Sequence, residues 1–173
     1  MYFNPFPKIN YDCVGNGFTE QIQDITTRVV VRKWIQDRGS LFSKYRVGDG
    51  DTPEMTAYKL YGKTQYHWII LLFNEVFNSY YGWPLSRKDF YAFIDNKYAN
   101  PNGTHHYEIT QQSGDTTKKI KVESDVAGAI AVTNMEYEAT IQDKKRQIKV
   151  LQPEFVEQFV SEFKRLLKKQ QSL

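Results

Sequence analysis

Apolar residues recur at helical spacing most clearly near the end of the chain. There Phe155, Val156, Phe159, Val160, Phe163, Leu166 and Leu167 form one stripe. Behind Pro153, that spacing predicts an amphipathic helix over residues 153–169. Glu154 and Glu157 stand early in it and Lys164, Arg165, Lys168 and Lys169 late, the order that complements a helix dipole. A second helix start is written in Thr52, Pro53 and Glu54, and Gly62 supplies the stop, with Met55, Tyr58, Leu60 and Tyr61 expected on the buried face. From Thr64 to Phe73, residues Tyr66, Trp68, Ile69, Leu72 and Phe73 nearly encircle a further helix, which predicts burial on more than one side. Ser86 and Asp89 open another that runs to about Tyr98, with Phe90, Phe93 and Ile94 on its stripe, and residues 134–145 also read as helical.

Alternating positions predict strands at residues 45–47, 104–111 and 117–124, the last two forming a β-hairpin around Gly114 and Asp115. Residues 25–31 are β-branched and strand-like, and residues 147–151 read as a strand or an extended link. Residues 127–132, which contain Gly128, fit a connector or a strand, and residues 32–42 are ambiguous because Gly39 and Ser40 interrupt any helix. Between the helix ending at Phe73 and the one opening at Ser86 lies a long aromatic loop, residues 74–84. The first ten residues carry Pro5 and Pro7, which favour extended geometry, so an arm anchored by Tyr2, Phe3 and Phe6 is expected. Whether it lies on its own domain or on another subunit is open at this point. The pattern as a whole predicts an α+β fold without internal repeats.

Composition narrows the class. The chain has 173 residues, enough for one domain with extensions, and a net charge of +3 from 23 basic and 20 acidic residues. Nucleic-acid modules are usually more basic, and the lysine clusters at residues 118–121 and 144–146 read as solvated faces. The one cysteine, Cys13, makes no intrachain disulfide, which removes the disulfide-rich secreted class. The N-terminus does not read as a signal peptide, and the longest apolar runs are far too short to span a bilayer. The terminal helix therefore suits a core or a partner groove better than a membrane surface. Twelve Tyr, eleven Phe and three Trp are the unusual numbers, and such rings serve cores and partner interfaces alike.

Candidate chemistry is sparse. His67 stands alone, and His105 and His106 are neighbours on a predicted strand, which should send their rings to opposite faces. No metal or cofactor is expected. Neither a Gly-x-Ser-x-Gly elbow nor a phosphate-binding loop occurs, and the Asp49, Asp51, Glu54 cluster lacks the spacing of a calcium loop. The reading is not an enzyme.

Residues 45–85 resemble a LysM module. The matching residues are Tyr45, Arg46 and Val47, then Gly50, Asp51 and Thr52, then Ala57, Tyr61, Gly62, Trp68, Ile69 and Asn74. A typical module continues into a Pro-Gly-x-x-Leu second strand, whereas here Tyr80, Tyr81, Gly82, Trp83 and Pro84 follow. That departure, together with the hairpin, Tyr137 and Glu138, residues 146–149 and the terminal helix, resembles the LysM-containing baseplate wedge subunits of contractile-tailed bacteriophages.

The resemblance implies a LysM-like β-α-α core with an N-terminal extended arm, a β-hairpin insertion and a C-terminal amphipathic helix. Four blocks follow: residues 1–44 (arm and strand), 45–85 (core), 86–133 (helix and hairpin) and 134–173 (helical region). It implies a structural subunit that joins neighbouring wedge subunits and the hub, assembled in the host cytoplasm into the virion tail baseplate. Tyr2, Phe3, Phe6, Tyr80, Tyr81 and Trp83, with Phe155, Phe159 and Phe163 of the last helix, are the candidate partner anchors. Trp83 also fits a core position beneath the helix predicted from Thr64 to Phe73. The alternative function is a module binding peptidoglycan or chitin oligomers, with residues 50–52 and 74–77 forming the sugar groove.

Overall fold

Residues 6–26, 39–112 and 114–170 are described in a computed structural model of the chain. Two units are each built from stretches distant in sequence. Met1–Tyr45, Thr52–Gly82 and Ile148–Leu173 make the first, Arg46–Asp51 and Trp83–Gln147 the second. Helices and strands mix without a repeating β-α-β order, and the class is α+β.

In the first unit, β1 (Lys8–Tyr11) and β2 (Glu20–Gln23) pair antiparallel, with Ile9 opposite Ile22. Their turn is organised by Asp12, whose carboxylate accepts the N–H groups of Gly17, Gly15, Val14 and Asn16 and is thereby held below the usual range. The stretch expected as an extended arm thus becomes, from Lys8 onward, half of a hairpin. Tyr2, Phe3 and most of residues 25–42 lie outside the described residues, and Ile25 and Thr26 belong to no strand.

β3 (Phe42–Arg46) pairs with β7 (Gln147–Leu151). Helix α1 (Pro53–Tyr61) begins where the Thr52 hydroxyl accepts the Met55 N–H, and ends at Gly62, whose φ of 70° permits its N–H to reach the Tyr58 carbonyl. Its buried face is Pro53, Thr56 and Ala57, one turn apart; Met55 and Tyr58, expected inside, point outward and are 47% and 62% exposed. A 3₁₀ turn (Thr64–Tyr66) leads into α2 (His67–Phe73), where Trp68, Ile69, Ile70 and Phe73 are all buried. Tyr61 donates to the Leu151 carbonyl at 3.1 Å, and burial pushes its phenol up to about 12.

The apolar face of α6 (Pro153–Gln170) closes this core. Trp68 lies 4.8 Å from Phe163 and 5.9 Å from Phe159, ring centre to ring centre, and Phe73 lies 5.0 Å from Phe159. Phe6 meets the edge of Phe163 at 6.1 Å, so the arm's anchor is placed against its own unit. Lys63 and Tyr66 both donate to Glu157 on the solvent side.

The second unit pairs helices with a three-stranded antiparallel sheet. Its strands are β4 (Thr104–Thr110), β5 (Lys119–Val122) and β6 (Ile130–Thr133), in the order β5-β4-β6. The segment read as connector or strand is therefore a strand. Helix α4 (Arg87–Lys97) is capped by Ser86, and α5 (Asn134–Arg146) by a capping box of Thr133 and Glu136. Glu138, 4% exposed, accepts from Lys97 at 2.6 Å and from the Tyr98 hydroxyl at 2.8 Å. Burial pushes its carboxyl up, but these two bonds outweigh burial and hold it below the ordinary value.

Arg146 ties the stretch at residues 46–51 to this unit. It donates to the Leu85 carbonyl at 2.8 Å and pairs with Asp49 at 3.4 Å, while its own carbonyl accepts the Val47 N–H at 2.9 Å. A Cβ at Gly48 would lie 2.6 Å from Asp51 Oδ2, so any larger residue here must displace that carboxylate.

His105 and His106 depart from the expected alternation. Strand register shifts between Thr104 and His106, and the irregularity turns both rings to one place, with their Nδ1 atoms 2.8 Å apart. His105 also stacks on Tyr137 at 3.9 Å. When both rings are neutral, one Nδ1–H donates to the other; two protonated rings would repel. Burial, then the neighbouring His106, pushes the His105 pKa down.

Two predictions follow from these interiors. The Thr56 hydroxyl is buried with no hydrogen-bond partner among the described residues, so Thr56→Val raises the unfolding free energy by about 1 kcal/mol in urea titration. A protonated His105 is favoured in the unfolded chain, which therefore binds more protons than the folded one once pH drops below about 6.5. Stability accordingly falls as pH is lowered through that value, with a further loss in the carboxylate range as Glu138 titrates. The urea midpoint should drop between pH 7.5 and 5.5, and His105→Gln should flatten that slope.

Candidate partner-binding surface

The loop that follows α2 is polar in its bracing and aromatic on its surface. Asn74 ends the helix and turns its side chain onto β7. Its amide donates to the Ile70 carbonyl at 2.8 Å and the Lys149 carbonyl at 2.7 Å, and its oxygen accepts the Lys149 N–H at 2.9 Å. One side chain thus imitates a strand neighbour for Lys149. Glu75 follows with φ of 55°, a left-handed backbone that costs a non-glycine residue about 1 kcal/mol. The Asn74 bonds on one side and the Val76 N–H bond to the Leu71 carbonyl on the other hold it there.

The loop then forms a short helix, α3 (Ser79–Gly82). The Asn78 side chain accepts the Tyr80 N–H at 2.9 Å, and the Gly82 N–H donates to the Asn78 carbonyl at 2.8 Å. A Cβ at Gly82 would lie 2.8 Å from Val76, so glycine allows the turn to close on that side chain. Tyr80 and Tyr81 project from this turn with rings 5.3 Å apart, edge to face, and are 80% and 73% exposed. Phe77, which ends the stretch assigned to a sugar groove and was not among the candidate anchors, is 74% exposed in the same loop. Large rings held on an ordered turn lose little conformational freedom when a partner covers them.

The other candidate anchors are placed differently. Trp83 is 6% exposed and its indole N–H donates to the Asp51 carbonyl at 2.7 Å, so its ring belongs to the interior of the second unit. Phe6 and Phe163 are buried in the first unit, and Phe155 and Phe159 are half-buried against the same cluster. Trp68 and Phe73 cover Phe159 and Phe163 of the terminal stripe, and Phe155 and Phe159 keep part of their surface. Of the residues assigned to a sugar groove, Thr52 uses its hydroxyl as a helix cap and Asn74 uses its amide on main chain.

Among the described residues, no group of three or more His, Cys, Asp and Glu is arranged to hold a metal ion. Nor is any described helix long and apolar enough to cross a membrane.

Asn74→Ala removes all three of these bonds and leaves the Lys149 N–H without a partner. It should cost about 2–3 kcal/mol in chemical denaturation, and Asn74→Asp, which turns a carboxylate oxygen toward the Ile70 and Lys149 carbonyls, should cost at least as much.

Comparison with known proteins supplies the context of this surface. In an alignment 144 positions long, which covers 72% of this chain and 73% of the other, the sequence is 26% identical to the baseplate wedge protein gp53 of Enterobacteria phage T4. The sequence model of the family described as base plate wedge protein 53 matches residues 1–125, most of the chain. The chain therefore belongs to the base plate wedge protein 53 family, and as a baseplate wedge protein it is a component of the phage virion tail.

Proposed function

We propose that this chain is a structural joint of the baseplate wedge. It works by multipoint protein contacts with other wedge subunits and the hub, and carries out no catalysis. The observation that carries the reading is the pair Tyr80 and Tyr81, displayed on a turn whose backbone is braced by Asn78 and Val76. Aromatic rings of this size, once desolvated in a partner pocket, supply much of an interface's free energy, about 2 kcal/mol or more each.

In this reading β3, α1 and α2 form a LysM-like β-α-α core. Its closing strand is β7, so the chain from Trp83 to Arg146 stands as an insertion between α2 and that strand. The long detour explains why the usual second strand is missing after Asn74. A sugar-binding role has less support, since the Asn74 amide and the Thr52 hydroxyl are engaged within the chain. Neither nucleic acid nor membrane enters the proposed role.

The test is incorporation into tails. A phage lacking this subunit is supplied with the Tyr80→Ala, Tyr81→Ala double variant, and complete baseplates are counted by electron microscopy. The unfolding of the isolated variant is measured beside that of the parent chain, and complete baseplates should fall at least tenfold with a variant that is folded under the assembly conditions. Normal assembly by a normally folded variant would overturn the proposal.

A further inference from the structure

The second unit contains a cleft of about 470 Å³ whose wall is made by residues 46–49, the start of α4 and the last two turns of α5. Its apolar surface comes from Val47, Phe90, Tyr91 and Ala139. Three arginines and two aspartates supply its charge. Both aspartates already have partners: Asp143 pairs with Arg46 at 3.0 Å and Asp49 with Arg146 at 3.4 Å. Arg87 is left over. Its guanidinium has neither an ion pair nor a hydrogen bond among the described residues, although its own main-chain N–H donates to Asp49 at 2.8 Å.

A second unused donor lines the same cleft. Gln142 is 6% exposed, and its side-chain oxygen accepts the Leu85 N–H at 3.0 Å. That bond fixes which end of the amide is the NH₂, and this NH₂ has no acceptor among the described residues. The cleft therefore offers a guanidinium and an amide donor beside aromatic and aliphatic surface, with its own carboxylates satisfied.

We infer that this cleft docks an acidic, apolar-flanked segment of a neighbouring protein, one carboxylate of which pairs with Arg87 while an adjacent apolar side chain lies on Phe90 and Tyr91. Charge complementarity selects the occupant. A carboxylate matches the guanidinium fork, whereas a polyphosphate backbone would also meet Asp49 and Asp143, both more than half exposed at the rim. The volume lies in the range of sites that hold a few residues of a peptide. Only the statement that the occupant comes from a neighbouring protein rests on the assembly role proposed above.

The test uses the full ¹⁵N-labelled chain and three probes: the peptide acetyl-Gln-Leu-Glu-Phe-Gln-amide, its counterpart with Lys in place of Glu, and inorganic phosphate. The acidic peptide should give saturable shifts in the amides of residues 46–49, 87–91 and 139–146, and the lysine peptide none. Arg87→Ala should weaken binding roughly tenfold, the loss of one charge-assisted contact. Asp143→Asn, which removes a competing carboxylate, should strengthen it. No shifts with the acidic peptide, equal shifts with the lysine peptide, or unchanged affinity in Arg87→Ala would each overturn the inference. So would phosphate reproducing the same shifts, since the cleft would then be a simple anion site. The assembly role is read separately, because Tyr80→Ala, Tyr81→Ala leaves this cleft intact and its peptide binding unchanged.

Discussion

The packing of Phe159 and Phe163 onto Trp68 and Phe73 is the constraint on which the first unit depends. Helix α2 is apolar on too many sides to be covered by α1 alone, so another apolar face must reach it. The terminal helix supplies that face, and β7 delivers it by pairing with β3 immediately before Pro153. Tyr61 on Leu151 and Asn74 on Lys149 fasten β7 from the two helices. Removing the terminal helix would uncover α2 and expose an aromatic core.

That constraint also divides the aromatic residues by role. Rings that meet across the core are unavailable outside, whereas Phe77, Tyr80 and Tyr81 stay exposed together on a loop that polar bonds hold in shape. A protein that joins others needs such a division. Its core must survive before assembly, and its contact residues must be positioned without being covered. The second unit follows a similar logic in polar terms, with Glu138 holding Lys97 and Tyr98, and Arg146 holding the chain at residues 46–51.

Features that depend on a few adjacent residues were legible in the sequence. Thr52, Pro53 and Gly62 bounded α1, Ser86 opened α4, and the stripe from Phe155 to Leu167 marked the terminal helix, since caps and periodicity are local. Features decided by distant pairing were not. The strand at Ile130–Thr133 exists because β4 accepts it, and the side-by-side rings of His105 and His106 follow from a register shift that alternation cannot foresee. In α1 the apolar residues did not name the buried face, because nine residues can turn either Met55 and Tyr58 or Thr56 and Ala57 inward, and the neighbouring elements choose. For the candidate surface, the sequence pointed to the loop as a whole. It could not separate Trp83 from Tyr80 and Tyr81, because that depends on whether the Asp51 carbonyl is within reach of the indole.

The most direct measurement is hydroxyl-radical footprinting of tyrosine side chains in the free chain and in assembled tails. The account predicts rapid labelling of Tyr80 and Tyr81 in the free chain and strong protection of both in tails, with Tyr58, also exposed, as the internal comparison. Equal labelling of Tyr80 and Tyr81 in the two states would contradict the claim that this braced turn is where the subunit meets its neighbours.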